Sequence, residues 1–317
     1  MKANELEMVR TARASDCLVM DTGEETKKIP FGEAALILRP GVNLMINSDF
    51  RKPVNQRGLE EYTEAGYTID QWKLLSGSLS VMDGFIRLTK EQPQWALQYK
   101  FDDYCVIPGY SYTLSFLLKS NKKILFVIWY GASKYLIKEF EASSALEIKE
   151  FTFTMQTPDS GFRPSFIIQT LENDTALDLT AAKLELGSQQ TLARQDAAGN
   201  WVLNDPPPDK ALGLLKCQKY QYKNTNGSTE FIRASAVVAD AIYFDIPVPV
   251  PMRATPVISN PENIELIDLT SRTILTGFSI GVSNHEGATI RINAVKQNHG
   301  VTDAYLKATA VLFDANL

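Results

Sequence analysis

Trp95-Ala96-Leu97-Gln98-Tyr99-Lys100-Phe101 alternates: the odd positions are large and apolar, while Gln98 and Lys100 turn the other way. A period of two marks a strand with one buried face and one wet face. Phe151-Thr152-Phe153-Thr154-Met155 and Tyr112-Thr113-Leu114-Ser115-Phe116 repeat the scheme. The run Ile124-Leu125-Phe126-Val127-Ile128-Trp129-Tyr130 is apolar throughout, as expected of a central strand covered on both faces. Pro108-Gly109, Gly131, Pro158 and Gly161 punctuate these strands. Many short strands at this spacing predict a two-sheet β-sandwich over residues 42–192.

On the N-terminal side, residues 1–41 read as a small module. It has a strand at 17–20, a turn at Asp21-Thr22-Gly23-Glu24, a second strand at 26–29 and a short helix at 31–38. A piece of about 40 residues cannot bury a core of its own and is normally stabilised by disulfides, metal or association. On the C-terminal side, residues 193–230 read as linker and helix. Asp205-Pro206-Pro207-Pro208 should be stiff and extended, and Asp209 can cap a helix running from Lys210 to Tyr222. From 231 to 317 the strand pattern returns at 231–238, 241–246, 255–258, 264–269, 276–282, 289–295 and 307–313, giving a second, smaller sandwich. The fold class expected is all-β.

The 317 residues are 44% apolar and 22% charged, enough to bury real cores. A net charge of −5 leaves no global basic field for phosphate backbones, so nucleic acid is not an expected partner. The apolar runs at 124–130 and 234–239 are too short to cross a bilayer, and no membrane insertion is expected. Residues 1–14 carry Glu5, Glu7, Arg10 and Arg13 without an apolar run. The expectation is therefore synthesis in a bacterial cytoplasm without a secretory leader. Three cysteines, Cys17, Cys105 and Cys217, are scattered and form no C-x-x-C pair, so they read as free thiols.

Several motifs occur in a telling order. Asn43-Leu44-Met45-Ile46-Asn47-Ser48-Asp49-Phe50 opens the sandwich, and Ala182-Lys183-Leu184-Glu185-Leu186-Gly187 closes it. Between them lie Asn55-Gln56-Arg57-Gly58, Tyr67-Thr68-Ile69-Asp70-Gln71-Trp72 and Pro108-Gly109-Tyr110-Ser111-Tyr112-Thr113-Leu114-Ser115-Phe116. The set resembles jelly-roll modules of phage and prophage tail-fibre proteins, and the similar carbohydrate-binding jelly rolls of polysaccharide-degrading enzymes. Asp21-Thr22-Gly23 with Thr26-Lys27-Lys28-Ile29 resembles hairpin modules of fibre shafts. Leu215-Lys216-Cys217-Gln218-Lys219-Tyr220 and the proline-rich stretch from Ile246 to Pro256 resemble a helix-plus-sandwich ending of the same proteins. The resemblance implies a non-catalytic receptor-binding subunit of a virion tail or phage-like particle. Such a subunit is a homotrimer, joins other tail or baseplate proteins and binds a bacterial surface glycan. It also implies a structural calcium near Asp49 and Glu185, although Glu usually stands in the opening motif and Asp in the closing one.

The catalytic inventory is thin. His285 and His299 are the two histidines, no G-x-S-x-G elbow is present, and phosphate loops are absent. Asp102-Asp103, Glu60-Glu61 and Glu139 with Glu141 leave a carboxylate pair open, so a polysaccharide hydrolase stays as an alternative beside a free-standing bacterial adhesin. Aromatic residues matter more, because sugars stack on rings while polar side chains hold their hydroxyls. Among Trp72, Trp95, Trp129 and Trp201, the alternation puts Trp95 and Trp129 in phase with core residues. Tyr130 ends its strand at Gly131 and is free of that phase. Arg57, Tyr62, Tyr67 and Asp70 lie in the long connection after the first strand, where binding residues tend to sit. The ligand-binding set expected from sequence is therefore Arg57, Tyr62, Tyr67, Asp70 and Tyr130.

Overall fold

A computed structural model describes residues 17–21, 26–30, 41–90, 96–101, 106–224 and 229–315. Between Glu61 and Leu186 the chain passes back and forth between two six-stranded antiparallel sheets, as a jelly roll does. The front sheet runs, side by side, Tyr135–Phe140, Ile124–Trp129, Ser165–Gln169, Ala96–Lys100, Trp72–Ser76 and Gly66–Tyr67. The back sheet runs Ser143–Thr154, Ser111–Ser120, Thr175–Leu186, Phe85–Lys90, Ser78–Met82 and Glu61–Tyr62. Leu97, Tyr99 and Phe101 point into the core between them, as the alternation predicts.

Aromatic rings fill that core. Phe116 of the back sheet meets Phe126 and Phe166 of the front sheet, with centroids 4.7 and 4.9 Å apart. Trp72 lies 5.0 Å from both Phe50 and Tyr99, and its indole Nε1 donates to the Asn47 carbonyl at 2.9 Å. Each such ring pair contributes about 0.5–1.5 kcal/mol beyond area burial. The two ends of the module meet: Leu44 N donates to Leu184 O at 2.8 Å, and Phe50 N to Thr180 O at 3.0 Å.

The strand Ile124–Trp129 corrects one expectation. Ile124, Phe126, Ile128 and then Tyr130 face the core, so Leu125, Val127 and Trp129 face outward. Trp129, expected inside, is on the outer face; Tyr130, expected at a ligand, is 1% exposed. A run that is apolar at every position carries no phase of its own. Packing of Phe126 against Phe116, Phe140 and Phe166 sets it instead.

The outer face of the back sheet is covered. Ala181, Lys183 and Glu185 point away from the core yet are buried. A hairpin of Ala193–Gln195 and Trp201–Leu203 follows the closing strand, and Leu192 and Ala193 pack on Leu117 and Ala181, with Ile148, Trp201 and Leu203 alongside. Lys183 Nζ donates to Asp205 Oδ1 at 2.7 Å. The stretch read as linker is thus held against the jelly roll as far as Asp205.

The helix spans Lys210–Gln218, and Asp209 caps it by accepting from Ala211 N and Leu212 N. It ends short of Tyr222, which belongs to the strand Gln221–Lys223. Cys217 and Gln218 are its buried residues, whereas Leu212, Leu214 and Leu215 are exposed. The tail that follows is the expected second sandwich. Thr229–Arg233, Ala304–Thr309, Ile264–Asp268 and Ile274–Leu275 form one sheet, and Ala236–Val238, Ala241–Pro247, Thr289–Val295 and Ser279–Glu286 form another. A three-stranded sheet of Gln221–Lys223, Leu312–Asp314 and Val257–Ile258 completes it, over a core that includes Phe244, Ile292, Leu306 and Phe313.

At the N-terminus, Cys17–Asp21 pairs antiparallel with Thr26–Pro30, as expected. The helix expected at 31–38 lies outside the described residues, as do Trp95, Asp102, Asp103 and Cys105. No helix among the described residues is long and apolar enough to cross a membrane.

The Lys183–Asp205 pair yields a stability test. Asp205→Ala leaves a buried ammonium without its partner and should cost about 3 kcal/mol in denaturant unfolding, whereas Lys183→Met with Asp205→Ala should recover most of that loss. Equal midpoints for the single variant and the wild type would show that the strap does not hold the charge.

Candidate functional site

The connection from Arg51 to Gln71, with the short strands Glu61–Tyr62 and Gly66–Tyr67 inside it, carries most of the residues expected to touch a ligand, and the tail closes over it. Gln56 N and Nε2 donate to the Asp70 carboxylate at 3.1 and 2.6 Å, and Gln56 Nε2 also donates to Gln221 O at 2.7 Å. Gln221 Nε2 reaches Asp70 Oδ1 at 3.3 Å. The Arg57 guanidinium donates to Gln221 Oε1 and pairs with Asp314 at 3.0 Å. Arg57 and Asp70 therefore join the two sandwiches. Tyr62 is buried and its hydroxyl donates to Asn55 Oδ1 at 2.6 Å. Tyr67 is half-buried, with the Arg57 and Lys73 cations each 5.8 Å from its ring centroid. Of the sequence-derived ligand set, Arg57, Tyr67 and Asp70 meet at the junction, Tyr62 lies at its edge, and Tyr130 is in the core.

Burial dominates the chemistry of this junction. Desolvation pushes the Asp70 carboxyl from 3.8 up to about 6, against the opposing hydrogen bonds from Gln56. It also raises the Tyr67 phenol to about 12, helped by Asp314, and lowers the Arg57 pKa despite the attraction of Asp314 and Asp70. The buried Cys217 thiol is pushed up by desolvation and then by Asp70.

Asp49 and Glu185 are not brought together. Asp49 sits opposite Ala181, four residues along the closing strand from Glu185, a separation of about 13 Å at the usual strand rise. Both Asp49 oxygens accept from the Arg51 guanidinium, at 2.9 and 2.6 Å. Glu185 is buried and accepts from Thr191 N and Oγ1. Calcium needs six to eight converging oxygens, and these two side chains do not fit it. No group of three or more His, Cys, Asp or Glu gathers for a metal among the described residues. His299 Nδ1 accepts from Val301 N at 3.0 Å, and its ring lies 5.5 Å from Phe278. Glu139 and Glu141 share Lys123, at 3.5 and 3.2 Å.

The outward face of the front sheet offers a different arrangement. Cross-strand register places Tyr135, Trp129, Ser165 and Lys100 in one row. The next row holds Ile137, Val127, Ile167, Gln98, Lys73 and Tyr67. Trp129 and Tyr135 lie 4.9 Å apart with their planes tilted by 41°, and Tyr135 is 48% exposed. Beside them Gln98 Nε2 donates to Ser165 Oγ at 3.1 Å. The face thus combines two adjacent rings with an amide that the buried Ser165 hydroxyl holds in place. Gln98 was visible in the alternating pattern; Tyr135 lies in no stretch singled out from the sequence, and the phase of Trp129 was not legible there.

A separate cavity of about 260 Å³ opens between the first loop, the stretch after Leu203 and the helix, lined by Met45, Asn47, Lys52, Asp205, Leu212 and Lys216 among others. Its wall holds Asp49 and Asp205, already engaged by Arg51 and Lys183, and it has no aromatic ring.

Solved structures similar to part of this chain include carbohydrate-binding modules and a phage tailspike domain. A family 29 carbohydrate-binding module complexed with mannohexaose aligns at 13% identity, over 39% of this chain and 86% of its own, with a TM-score of 0.29. The module TmCBM61, in complex with β-1,4-galactotriose, aligns at 12% identity over 46% of this chain and 99% of its own, with a TM-score of 0.30. The enzymatically active domain of bacteriophage CBA120 tailspike protein 4 aligns at 10% identity over 46% of this chain and 22% of its own, with a TM-score of 0.32. No family model matches the chain, and neither does any curated protein.

The raised Asp70 pKa sets a pH dependence. Between about pH 4 and pH 6 the native carboxyl keeps a proton that the unfolded chain has released, so the stability tied to Asp70 is greatest below pH 4 and is lost as pH rises through 6. Asp70→Asn cannot ionise. Its stability relative to the wild type should therefore improve from pH 4 to pH 7, by about 3 kcal/mol for a shift of this size. A difference that stays constant across that range would contradict the burial of a charged carboxylate at the junction.

Proposed function

We propose that the protein binds a glycan on the outward face of its front sheet and performs no chemistry on it. In this reading it serves as a tail-fibre or receptor-binding subunit of a phage or phage-like particle. The carrying observation is the part-exposed pair Trp129 and Tyr135 next to Gln98 and Ser165. Sugar rings present C–H faces to aromatic side chains and hydroxyls to amides, and the sheet holds all four groups in place before a ligand arrives. Trp129, Tyr135 and Gln98 replace Arg57, Tyr62, Tyr67, Asp70 and Tyr130 as the sugar-contacting set, and the buried Ser165 holds the Gln98 amide in place.

The tail role rests on the order of sequence motifs, and trimeric assembly on the small size of residues 1–41. Both fit the energetics of stacking. A ring contact contributes only about 0.5–1.5 kcal/mol beyond area burial, so one face binds weakly. Display of several faces raises avidity by roughly 10²–10⁴ without new contacts.

Purified protein should bind cells or extracted wall polysaccharide of a bacterial strain and leave the polymer length unchanged. Trp129→Ala and Tyr135→Ala should each weaken binding of the isolated glycan about tenfold while the melting curve is retained. Undiminished binding in the double variant would move the site elsewhere, and release of reducing ends would make the protein a hydrolase. Light scattering should give a mass near three times the 35.3 kDa of one chain; a mass near 35.3 kDa at micromolar concentration contradicts the trimer.

A further inference from the structure

Lys183 is buried with its charge and placed for chemistry. On the closing strand Thr175–Leu186 it points to the outer face of the back sheet, where the strap leaves it 0% exposed. Among the described residues its ammonium pairs with one acid, Asp205, whose Oδ1 accepts from Nζ at 2.7 Å. A nitrogen at that distance from a carboxyl oxygen lies about 3.5 Å from the carboxyl carbon, the separation of a near-attack pair. Ala181 and Leu203, two residues before each partner, belong to the apolar cluster of Leu117, Leu192 and Ala193. Asp205 is 33% exposed on its other side, where it lines the cavity beside the helix.

A second acid shares the face. Glu185 stands two residues after Lys183, about 7 Å along the same side of the strand, and is 1% exposed. Its oxygens accept from Thr191 N and Oγ1, and the Thr191 carbonyl accepts from Asn204 Nδ2 at 3.0 Å. This hydrogen-bonded chain runs from Glu185 to the residue next to Asp205. Burial pushes the Glu185 carboxyl above the usual carboxylate range, which suits it to take up and return a proton. A buried ion pair adds little net stability over apolar residues of the same volume, so packing alone does not account for an amine and two acids under one strap.

We propose that Lys183 and Asp205 condense after folding to an amide between Nζ and Cγ, with Glu185 as the proton carrier. One proton passes along the existing hydrogen bond and leaves a neutral amine beside a neutral acid, the form that a desolvated site favours. The amine lone pair forms the Nζ–Cγ bond. Glu185 takes a proton from the nitrogen and delivers it to the departing hydroxyl, the Cγ–Oδ bond breaks, and one water leaves by the cavity at Asp205. Glu185 ends as it began, and no oxidant or cofactor enters the balance. Holding the two groups in contact gives effective concentrations of ~10⁵–10⁸ M, far above that of water, and so favours condensation over hydrolysis. The amide closes residues 183–205 into a covalent ring. A pull between jelly roll and tail then crosses the amide instead of unzipping the strap, wherever a glycan binds.

Intact-mass measurement of the purified full chain tests this. Folded protein should weigh one water less than its sequence. Trypsin cuts after Arg194, between the two residues, so the amide should keep joined two peptides that otherwise separate, and fragmentation should place the link at Lys183 and Asp205. The double variant Lys183→Met with Asp205→Ala should keep its full mass. It should match the stability of newly folded wild type and fall short of the aged, cross-linked protein. Glu185→Gln should slow the loss of water roughly 10²-fold and flatten its pH dependence. Wild-type protein that holds its full sequence mass after prolonged incubation overturns the proposal, and so does a water loss that persists in the double variant. Loss of water at the wild-type rate in Glu185→Gln overturns the role of Glu185.

Discussion

The packing of Phe126 among Phe116, Phe140 and Phe166 fixes which way the strand Ile124–Trp129 faces, and the candidate site depends on that choice. With Phe126 inside, Tyr130 must also go in and Trp129 must go out, because successive side chains on a strand point to opposite faces. The turn that follows preserves the arrangement. Tyr130 N donates to Lys134 O at 3.0 Å, Asp159 N donates to Tyr130 O at 2.8 Å, and Lys134 pairs with Asp159 at 2.6 Å. Gly131 lies so close to the Asp159 carboxylate that a β-carbon there would collide with it. The tight turn returns the chain antiparallel, and Tyr135 lands opposite Trp129.

The second constraint is the junction between the sandwiches. Its described contacts are polar: Gln56, Arg57 and Asp70 on one side, Gln221 and Asp314 on the other. A buried polar cluster tolerates few alternative arrangements, since an unmet donor or acceptor costs about 1–3 kcal/mol. Jelly roll and tail are therefore tied together by side chains, although each has its own core.

Much of this fold is legible in the residues themselves. Leu97, Tyr99 and Phe101 declare their buried side by alternation, Asp209 declares the helix start, and the opening and closing motifs of the jelly roll prove to be hydrogen-bonded neighbours. What escaped local reading has physical causes. The uniformly apolar run 124–130 carries no period to phase it. Arg57 and Asp70 sit in what reads as an open loop because their partner, Gln221, is 164 and 151 residues away. The apparent linker after Leu192 hides a hairpin that covers Lys183, a contact no turn or proline signal announces. The helix stops at Gln218 because Gln221–Lys223 is taken into a ladder with Leu312–Asp314. Each miss is a long-range contact overriding a local preference.

The central claim is the location of the glycan on the sheet face carried by Trp129 and Tyr135. Chemical-shift mapping of isotope-labelled full-length protein, titrated with a glycan that it binds, tests this most directly. The account predicts the largest shifts at Tyr135, the Trp129 indole, Gln98, Ser165 and Lys100, with the helix Lys210–Gln218 undisturbed. Shifts concentrated instead around the cavity of Met45, Asn47, Leu212 and Lys216 would contradict it.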